Sequence, residues 1–222
     1  MPRTHKYNPA LTPVDIIHKD SCVLVVNKPS GLLTIPGKDA SHKDSLLTRV
    51  QQKVFGALLV HRLDMDTSGI IIFARTRSSQ VDLGKQFEGR RTIKRYFAEI
   101  WGKPSCERGT IDLPITKDKE NPPRQKICLI NGRTALTEWK LIESRCNSTS
   151  IVELKPHTGR SHQLRLHMAT IGHPIIGDSL YAHKKAYQKS NRLNLHSYEL
   201  KVYHPKTRAL SSYRCPCPFF CG

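Results

Sequence analysis

The sequence predicts an α+β domain built on a mixed, mostly antiparallel sheet with flanking helices. Segments rich in β-branched and apolar residues come in adjacent groups, and helical periodicity recurs in about three places. A doubly wound fold would instead alternate strands and helices strictly along the chain. The 222 residues are close to the length of one large domain. We therefore expect a single domain over residues 1–222, with its core at about 14–215.

Local patterns predict the elements of the first half of the chain. The β-branched stretch 14–28 (VDIIHKDSCVLVVNK) indicates two short strands, which a Pro-Ser-Gly turn closes. Apolar residues at helical spacing predict a helix within 44–54, with a capping signal at Ser41. The continuous apolar run 70–73 is typical of a buried strand, and 78–90 has helical periodicity.

The second half adds more strands, one helix and an irregular basic segment. The segment 116–133 mixes charge with Asn-Pro-Pro and Asn-Gly, which favours a long loop or hairpin. Residues 162–171 suit a helix that ends before Gly172. Further strands are predicted at 92–101, 134–143, 150–154, 194–203 and 210–215.

The charge of the chain indicates a polyanionic partner. Lysine and arginine number 36 against 18 acidic residues, a formal net charge of +18, and these cations recur from Arg3 to Arg214 between apolar segments. Such a folded basic surface favours nucleic acid over a membrane. No apolar run approaches the roughly 20 residues that span a bilayer, and the N-terminal segment lacks the apolar stretch of a signal peptide. We expect a cytoplasmic protein.

Metal and nucleotide cofactors are not expected. The seven cysteines are an odd number in a chain of this length, so reduced thiols are the default, and Cys215, Cys217 and Cys221 lack paired C-x2-C spacing. The four histidines within 157–173 match no recognised ligand spacing. The glycines of 31–38 resemble a phosphate-binding loop, but their spacing is one residue too long and no Ser or Thr follows.

The segment 61–69 (HRLDMDTSG) is the first candidate for chemistry. It concentrates two potential cations, two carboxylates and two hydroxyls immediately before a predicted buried strand. A carboxylate beside arginines keeps its charge and can be oriented by bidentate hydrogen bonds, so Asp64 is a candidate nucleophile or general base. The alternative is a charged turn in which Thr67 and Ser68 cap backbone groups.

A second basic cluster, 157–167 (HTGRSHQLRLH), leads from a glycine turn into a helix. Helical N–H groups together with Arg160 and Arg165 would form an anion site suited to phosphate. A solvated basic helix is the alternative.

These motifs resemble those of the RluA-type pseudouridine synthases. HRLDMDTSG is similar to the family's signature around its catalytic aspartate, VVNKPSGLL at 25–33 to its opening motif, and KRYFAEIWG at 94–102 to its tyrosine motif. The segment 154–181, from LKPHTGRSHQLRLH to GDSLY, resembles its arginine motif, and HSYELKVYHP near the end also has a counterpart. The blocks follow the family order, and we expect no N-terminal S4-like domain in a chain of this length.

The resemblance implies roles for individual residues. Asp64 corresponds to the catalytic carboxylate, Arg165 to its ion-pair partner, Tyr96 to the ring that stacks on the target base, and Arg62 to the residue that fills the vacated stack. Asp66, at a position where the family pattern varies, is assigned to turn structure. The RNA-binding and base-flipping set is Arg62, His61, Arg160, His162 and Lys28.

The resemblance also implies a fold and a function. The expected fold is that of the pseudouridine synthases, with a central basic cleft. The expected reaction is the cofactor-free isomerisation of uridine in large-subunit ribosomal RNA, in the tRNA anticodon stem-loop, or in both, by a monomer. The alternatives are a non-catalytic RNA-binding protein or RNA chaperone on the same fold, and a metal-dependent nuclease, which the histidine spacing does not support.

Overall fold

The computed structural model describes residues 7–146 and 148–220. Within them the α-helices are α1 (Leu46–Lys53), α2 (Arg77–Glu88), α3 (Gln163–Thr170) and α4 (Lys184–Gln188). The strands are β1 (Asp15–Lys19), β2 (Val23–Lys28), β3 (Leu58–Leu59), β4 (Ser68–Ala74), β5 (Ile93–Trp101), β6 (Arg108–Asp112), β7 (Ile115–Lys117), β8 (Gln125–Ile127), β9 (Leu136–Arg145), β10 (Thr149–Pro156), β11 (Leu195–Tyr203) and β12 (Leu210–Arg214). None of the described helices is both long and apolar enough to cross a membrane.

The chain divides into two compact units. The first comprises Met1–Ile93 and His196–Pro216, and the second comprises Lys94–Leu195 and Cys217–Gly222. Each unit is built around β-strands with few helices, in agreement with the predicted α+β class. Cys221, one member of the C-terminal cysteine cluster, lies outside the described residues.

The first unit contains a mixed sheet in the order β1, β2, β4, β11, with β3 paired to β4 and β12 to β11. All these pairs are antiparallel except β4 with β11, which is parallel. In the parallel pair Gly69 lies opposite Ser197, and a Cβ at Gly69 would lie 2.3 Å from the Ser197 carbonyl oxygen. Glycine is therefore required where the predicted active-site turn enters β4.

The helices of the first unit cover the apolar strands. The N-cap of α1 is Ser45, whose hydroxyl accepts from the Thr48 N–H at 3.2 Å while the Thr48 hydroxyl accepts from the Ser45 N–H at 2.9 Å. The predicted capping signal at Ser41 is therefore wrong, because the reciprocal box forms four residues later. Leu83 of α2 packs into a core with Val25 and Ile72.

The second unit contains an antiparallel sheet in the order β5, β10, β9, β6. A separate two-stranded sheet of β7 and β8 occupies the segment predicted as a loop or hairpin. The helix α3 matches the predicted helix, and Gly172 follows its C-cap with φ 87°. The short β6 and α4 were not predicted from the sequence.

The Asp20 carboxylate joins the turn between β1 and β2 to the connection between β11 and β12. Asp20, between β1 and β2, accepts hydrogen bonds on Oδ2 from His18 at 2.7 Å and His204 at 3.1 Å. Its Oδ1 accepts from the Cys22 and Val23 N–H groups at 2.7 and 2.9 Å. Partial burial raises the pKa of the Asp20 carboxyl, but these hydrogen bonds outweigh burial and hold that pKa well below its ordinary value.

Asp20, Cys22 and His204 form the one group in the described part of the chain whose geometry suits a metal ion. Their ligand atoms lie within 4.8 Å of one another. Nδ1 of His204 faces the backbone N–H groups of Lys206 and Thr207 at 3.3 and 3.2 Å, so it accepts and Nε2 carries the proton. That proton is donated to Asp20. The Asp20 and His204 side chains are therefore joined by a hydrogen bond.

We expect Asp20→Asn to lower the free energy of unfolding at pH 7 by about 1–3 kcal/mol, because the hydrogen bonds to a charged acceptor are weakened. A carboxyl with a lowered native pKa stabilises fully above its unfolded value of about 3.9 and progressively less as the pH falls. Urea unfolding between about pH 7 and 3 should therefore show that the free energy of unfolding falls more steeply with decreasing pH in wild type than in Asp20→Asn. Equal pH dependence in both proteins would contradict this assignment.

Candidate active site

The predicted site residues fall in both units. The first unit contains Lys28, His61, Arg62 and Asp64, and the second contains Tyr96, Arg160, His162 and Arg165. Within the first unit the structure brings Lys28 to the aspartate loop, and within the second it brings His162 and Arg165 to a common tyrosine, Tyr181.

The aspartate loop, residues 63–67, is the last part of the connection from β3 to β4 and closes on itself. The Thr67 N–H donates to the Asp64 carbonyl at 3.2 Å, and Thr67 is buried while the Asp64 side chain is half-buried. Because β4 is buried along its whole length, the end of the loop is fixed to the core.

Side-chain hydroxyls of the turn segment 28–34 donate hydrogen bonds to backbone carbonyls of the aspartate loop. The Ser30 hydroxyl donates to the Asp66 carbonyl at 2.6 Å, and the Thr34 hydroxyl donates to the Leu63 carbonyl at 2.7 Å. These bonds bracket Asp64 on both sides. The turn segment 28–34 therefore positions the aspartate loop.

Lys28 is the centre of this arrangement. It has no exposed surface, and its Nζ donates to the carbonyls of Pro29 at 2.9 Å, Leu32 at 2.6 Å and Met65 at 2.7 Å. An ammonium has three hydrogens, so these acceptors use all of them. The sequence-based assignment of Lys28 to RNA contact is therefore corrected, because a fully buried lysine cannot reach a phosphate.

The two basic residues that open the signature differ in exposure. His61 is half-buried, its Nε2 accepts from the Ile72 N–H at 3.1 Å, and its ring stacks on Phe87 with centroids 4.4 Å apart. This ring is part of the packing between the loop and α2. Arg62 is exposed, so its side chain can reach a partner in solution.

Arg165 is buried in α3 and pairs with a carboxylate that the sequence analysis did not single out. Its Nε and Nη2 donate to Asp178 Oδ2 and Oδ1 at 2.8 and 2.7 Å, and the two side chains are 3% and 0% exposed. Asp178 also accepts from the Leu180 and Tyr181 N–H groups at 2.8 and 3.1 Å. Buried in this pair, Arg165 is no phosphate ligand, which corrects the anion site expected from the sequence.

A signal for Asp178 was available in the sequence. Between Glu153 and Glu199 it is the only acidic residue, and the intervening segment contains Arg165 and many other cations. A buried arginine needs an acidic partner, and a lone acid in a basic stretch is the obvious candidate.

The helix α3 begins at an unusual residue. His162 is the N-cap with φ 56°, a left-handed conformation that is uncommon outside glycine, and its side chain does not cap the helix. Its Nδ1 lies 2.8 Å from the Tyr181 hydroxyl. Arg160 donates from Nε to the Thr134 carbonyl at 3.0 Å. The start of α3 is therefore held by side chains from outside the helix.

Tyr96 lies in the middle of β5 and is 9% exposed. It pairs with Leu154 of β10 in the antiparallel ladder, so its ring shares a sheet face with that leucine. The sheet fixes the direction of this ring before any base arrives. Its stacking role and the pairing of Arg165 with Asp64 stay predictions.

Replacement of Lys28 by methionine keeps much of the side-chain volume but removes all three donors. We expect a loss of about 2–3 kcal/mol in the free energy of unfolding, because buried carbonyls lose their partners. Hydrogen exchange at the Gly31 and Thr67 amides, which donate to the Met65 and Asp64 carbonyls, should accelerate. The exposed control Lys85→Met should change neither quantity. Unchanged exchange at these two amides would refute the positioning role.

Removal of the Asp178 charge should be more damaging. We expect Asp178→Asn to lower the free energy of unfolding by about 3–5 kcal/mol, because it removes the charge of the carboxylate that pairs with the buried Arg165. Asp112→Asn, at an exposed position of the same unit, should cost no more than about 0.5 kcal/mol. Urea unfolding measures both, and equal effects would show that the buried pair is not an essential contact. The double variant Arg165→Met with Asp178→Leu should regain much of the lost stability.

Several known proteins are similar to this chain over most of its length. Residues 22–170 match the family model described as RNA pseudouridylate synthase. A dual-specificity RNA pseudouridine synthase RluA of Salmonella typhi is 45% identical over 214 residues, which cover 96% of this chain and 98% of that protein. The Vibrio cholerae protein of the same name is 44% identical over 216 residues and covers 97% of this chain, with 88% of its own length matched.

Solved structures extend the similarity. Human RNA pseudouridylate synthase domain containing 1 superposes with a TM-score of 0.80 at 26% identity, covering 96% of this chain and 87% of that one. Human RNA pseudouridylate synthase domain containing 4, at 24% identity and a TM-score of 0.75, has the same fold over 92% of this chain and 88% of its own. With the family model matched over most of its length and close relatives matched almost end to end, this chain belongs to the RNA pseudouridylate synthase family.

Proposed function

We propose that the protein is a dual-specificity pseudouridine synthase that isomerises uridine in large-subunit ribosomal RNA and in the tRNA anticodon stem-loop. The observation that carries the proposal is the nearly complete match to dual-specificity RNA pseudouridine synthases, at 45% identity over 98% of the Salmonella typhi protein. The net charge of +18 suits an RNA substrate, because lysine and arginine neutralise phosphates.

We assign the catalytic carboxylate to Asp64. The hydrogen bonds of Ser30, Thr34 and Lys28 to its loop fix the backbone on both sides of it, which supports a role that demands accurate placement. Attack on the base, attack on the anomeric carbon and removal of a sugar proton all require an ionised carboxylate.

The reaction exchanges one uracil atom for another at the sugar, so C5 replaces N1 and the uracil must rotate. Inside a structured RNA this requires the nucleotide to leave its stack, at a cost of a few kcal/mol. Stacking of the base on Tyr96 is worth about 1–3 kcal/mol, and the exposed Arg62 fills the vacated position. Arg165 keeps the Asp64 carboxylate ionised in this scheme.

We propose that no cofactor takes part, because the isomerisation involves neither net hydrolysis nor electron transfer. We also propose that the enzyme acts as a monomer in the cytoplasm, where both RNAs are found. One basic cleft per chain is sufficient for this chemistry.

Asp64→Asn should abolish turnover and leave RNA binding largely intact, whereas Asp66→Asn should retain most activity. The two residues share a loop, so the pair is a matched comparison of carboxylates. Tritium release from RNA labelled at C5 of uridine reports loss of the C5 proton directly. It should be measured on an anticodon stem-loop and on a large-subunit rRNA fragment.

Release by wild type from both RNAs supports dual specificity, and release from one alone reduces the proposal to that RNA. Turnover by a folded Asp64→Asn variant would remove Asp64 from the central role. Tight binding of both RNAs by wild type without release from either would favour a non-catalytic RNA-binding protein.

A further inference from the structure

The hydroxyl of Tyr181 joins two segments of the second unit that are far apart in sequence. It accepts from the Gln125 N–H, at the start of β8, at 2.8 Å, and it lies 2.8 Å from Nδ1 of His162 at the start of α3. Burial raises the pKa of the Tyr181 phenol, so the hydroxyl keeps its proton at neutral pH. It can therefore accept from the β8 backbone and donate to the imidazole at once.

The ring of Tyr181 makes two further contacts. The guanidinium carbons of Arg165 and Arg124 each lie 5.4 Å from its centroid, within the range of cation–π attraction. The ring also packs against a small core of Ile115 from β7 and Leu166 from α3. One side chain thus touches the β7–β8 hairpin and the buried arginine of α3.

The β7–β8 hairpin, with the connection that follows it, presents a row of exposed cations. These residues are Lys117, Lys119, Arg124, Lys126 and Arg133. The two paired strands of the hairpin have three residues each, so the orientation of the hairpin depends on contacts with the rest of the unit. The Tyr181 hydroxyl supplies one of these contacts at the backbone.

We propose that Tyr181 is a positioning residue that fixes the basic β7–β8 hairpin against α3, so that the exposed hairpin cations are pre-arranged to contact the phosphates of the RNA substrate. This inference rests on the proposed function for the identity of the substrate. Pre-arrangement reduces the ordering cost of binding, so its effect falls on affinity. The hydroxyl contacts Gln125 and His162, whereas the rate of the bound complex depends on Asp64 and Arg165.

Tyr181→Phe is the sharpest test, because it keeps the ring, its packing and both cation–π contacts and removes only the hydroxyl. We expect the dissociation constant for a tRNA anticodon stem-loop to rise about 5- to 20-fold, the effect of losing one or two hydrogen bonds. The single-turnover rate at saturating enzyme should stay within about twofold, because the hydroxyl does not enter the chemical step. Tyr203→Phe, at an exposed tyrosine, is the matched control and should change neither.

A double-variant comparison separates positioning of the hairpin from a general effect. In a background with Lys117→Ala and Lys126→Ala, both exposed, RNA binding is already weakened and Tyr181→Phe should add less than about twofold. Fully additive losses of RNA affinity in the combined variant would overturn the proposal. Unchanged RNA binding by Tyr181→Phe alone would also overturn it, and so would a loss confined to the single-turnover rate. Absence of turnover by wild type would refute the proposed function, whereas the binding comparison would still decide the role of Tyr181.

Discussion

The buried ammonium of Lys28 is the constraint on which the aspartate loop depends. A lysine with no exposed surface is tolerated only if each of its hydrogens has an acceptor, and the acceptors here are carbonyls of two different segments. The same group therefore binds the turn after β2 to the loop before β4. Since Met65 follows Asp64 directly, fixing the Met65 carbonyl limits where the Asp64 side chain can go.

Arg165 in the second unit is also a buried cation, but the acceptor of its hydrogen bonds is a carboxylate. Its guanidinium is forked, and a carboxylate can meet two of its donors in one plane, which is how Asp178 binds it. Asp178 is held in turn by the N–H groups of its own turn. A cation fixed in this way has one orientation in the free protein. That is the property required of a group proposed to hold a catalytic carboxylate ionised.

Much of the fold could be predicted because periodicity and turn residues are local signals. The strands β1 and β2 on either side of Asp20, the buried β4 and the three longer helices α1, α2 and α3 all correspond to patterns visible in the sequence. The N-cap of α1 was misplaced by four residues, since Ser41 and Ser45 both offer a hydroxyl and the choice depends on Thr48. The short β6 and α4 depend on pairing and packing with distant residues, which a local pattern does not contain.

The candidate site was predicted unevenly for the same reason. Residue type and spacing singled out Asp64 and Arg165, and the family resemblance added Tyr96, but neither could separate exposed cations from buried ones. Lys28 was grouped with the RNA contacts from its place in a segment that resembles the family's opening motif, and that resemblance does not reveal burial. Asp178 was passed over because its importance comes from one long-range contact. Burial is set by tertiary packing, so it had to be observed.

Sorting the cations by burial changes the meaning of the net charge of +18. A buried cation such as Lys28 or Arg165 donates its hydrogen bonds to groups of the protein and adds little to RNA affinity. It does fix the groups around it. An exposed cation such as Arg62 or Lys126 keeps its donors for phosphates but has many conformations to lose on binding. Affinity then depends on how well the segments that carry exposed cations are held. For the β7–β8 hairpin that support comes through the neutral Tyr181, so a residue without charge determines how effectively the charged ones act.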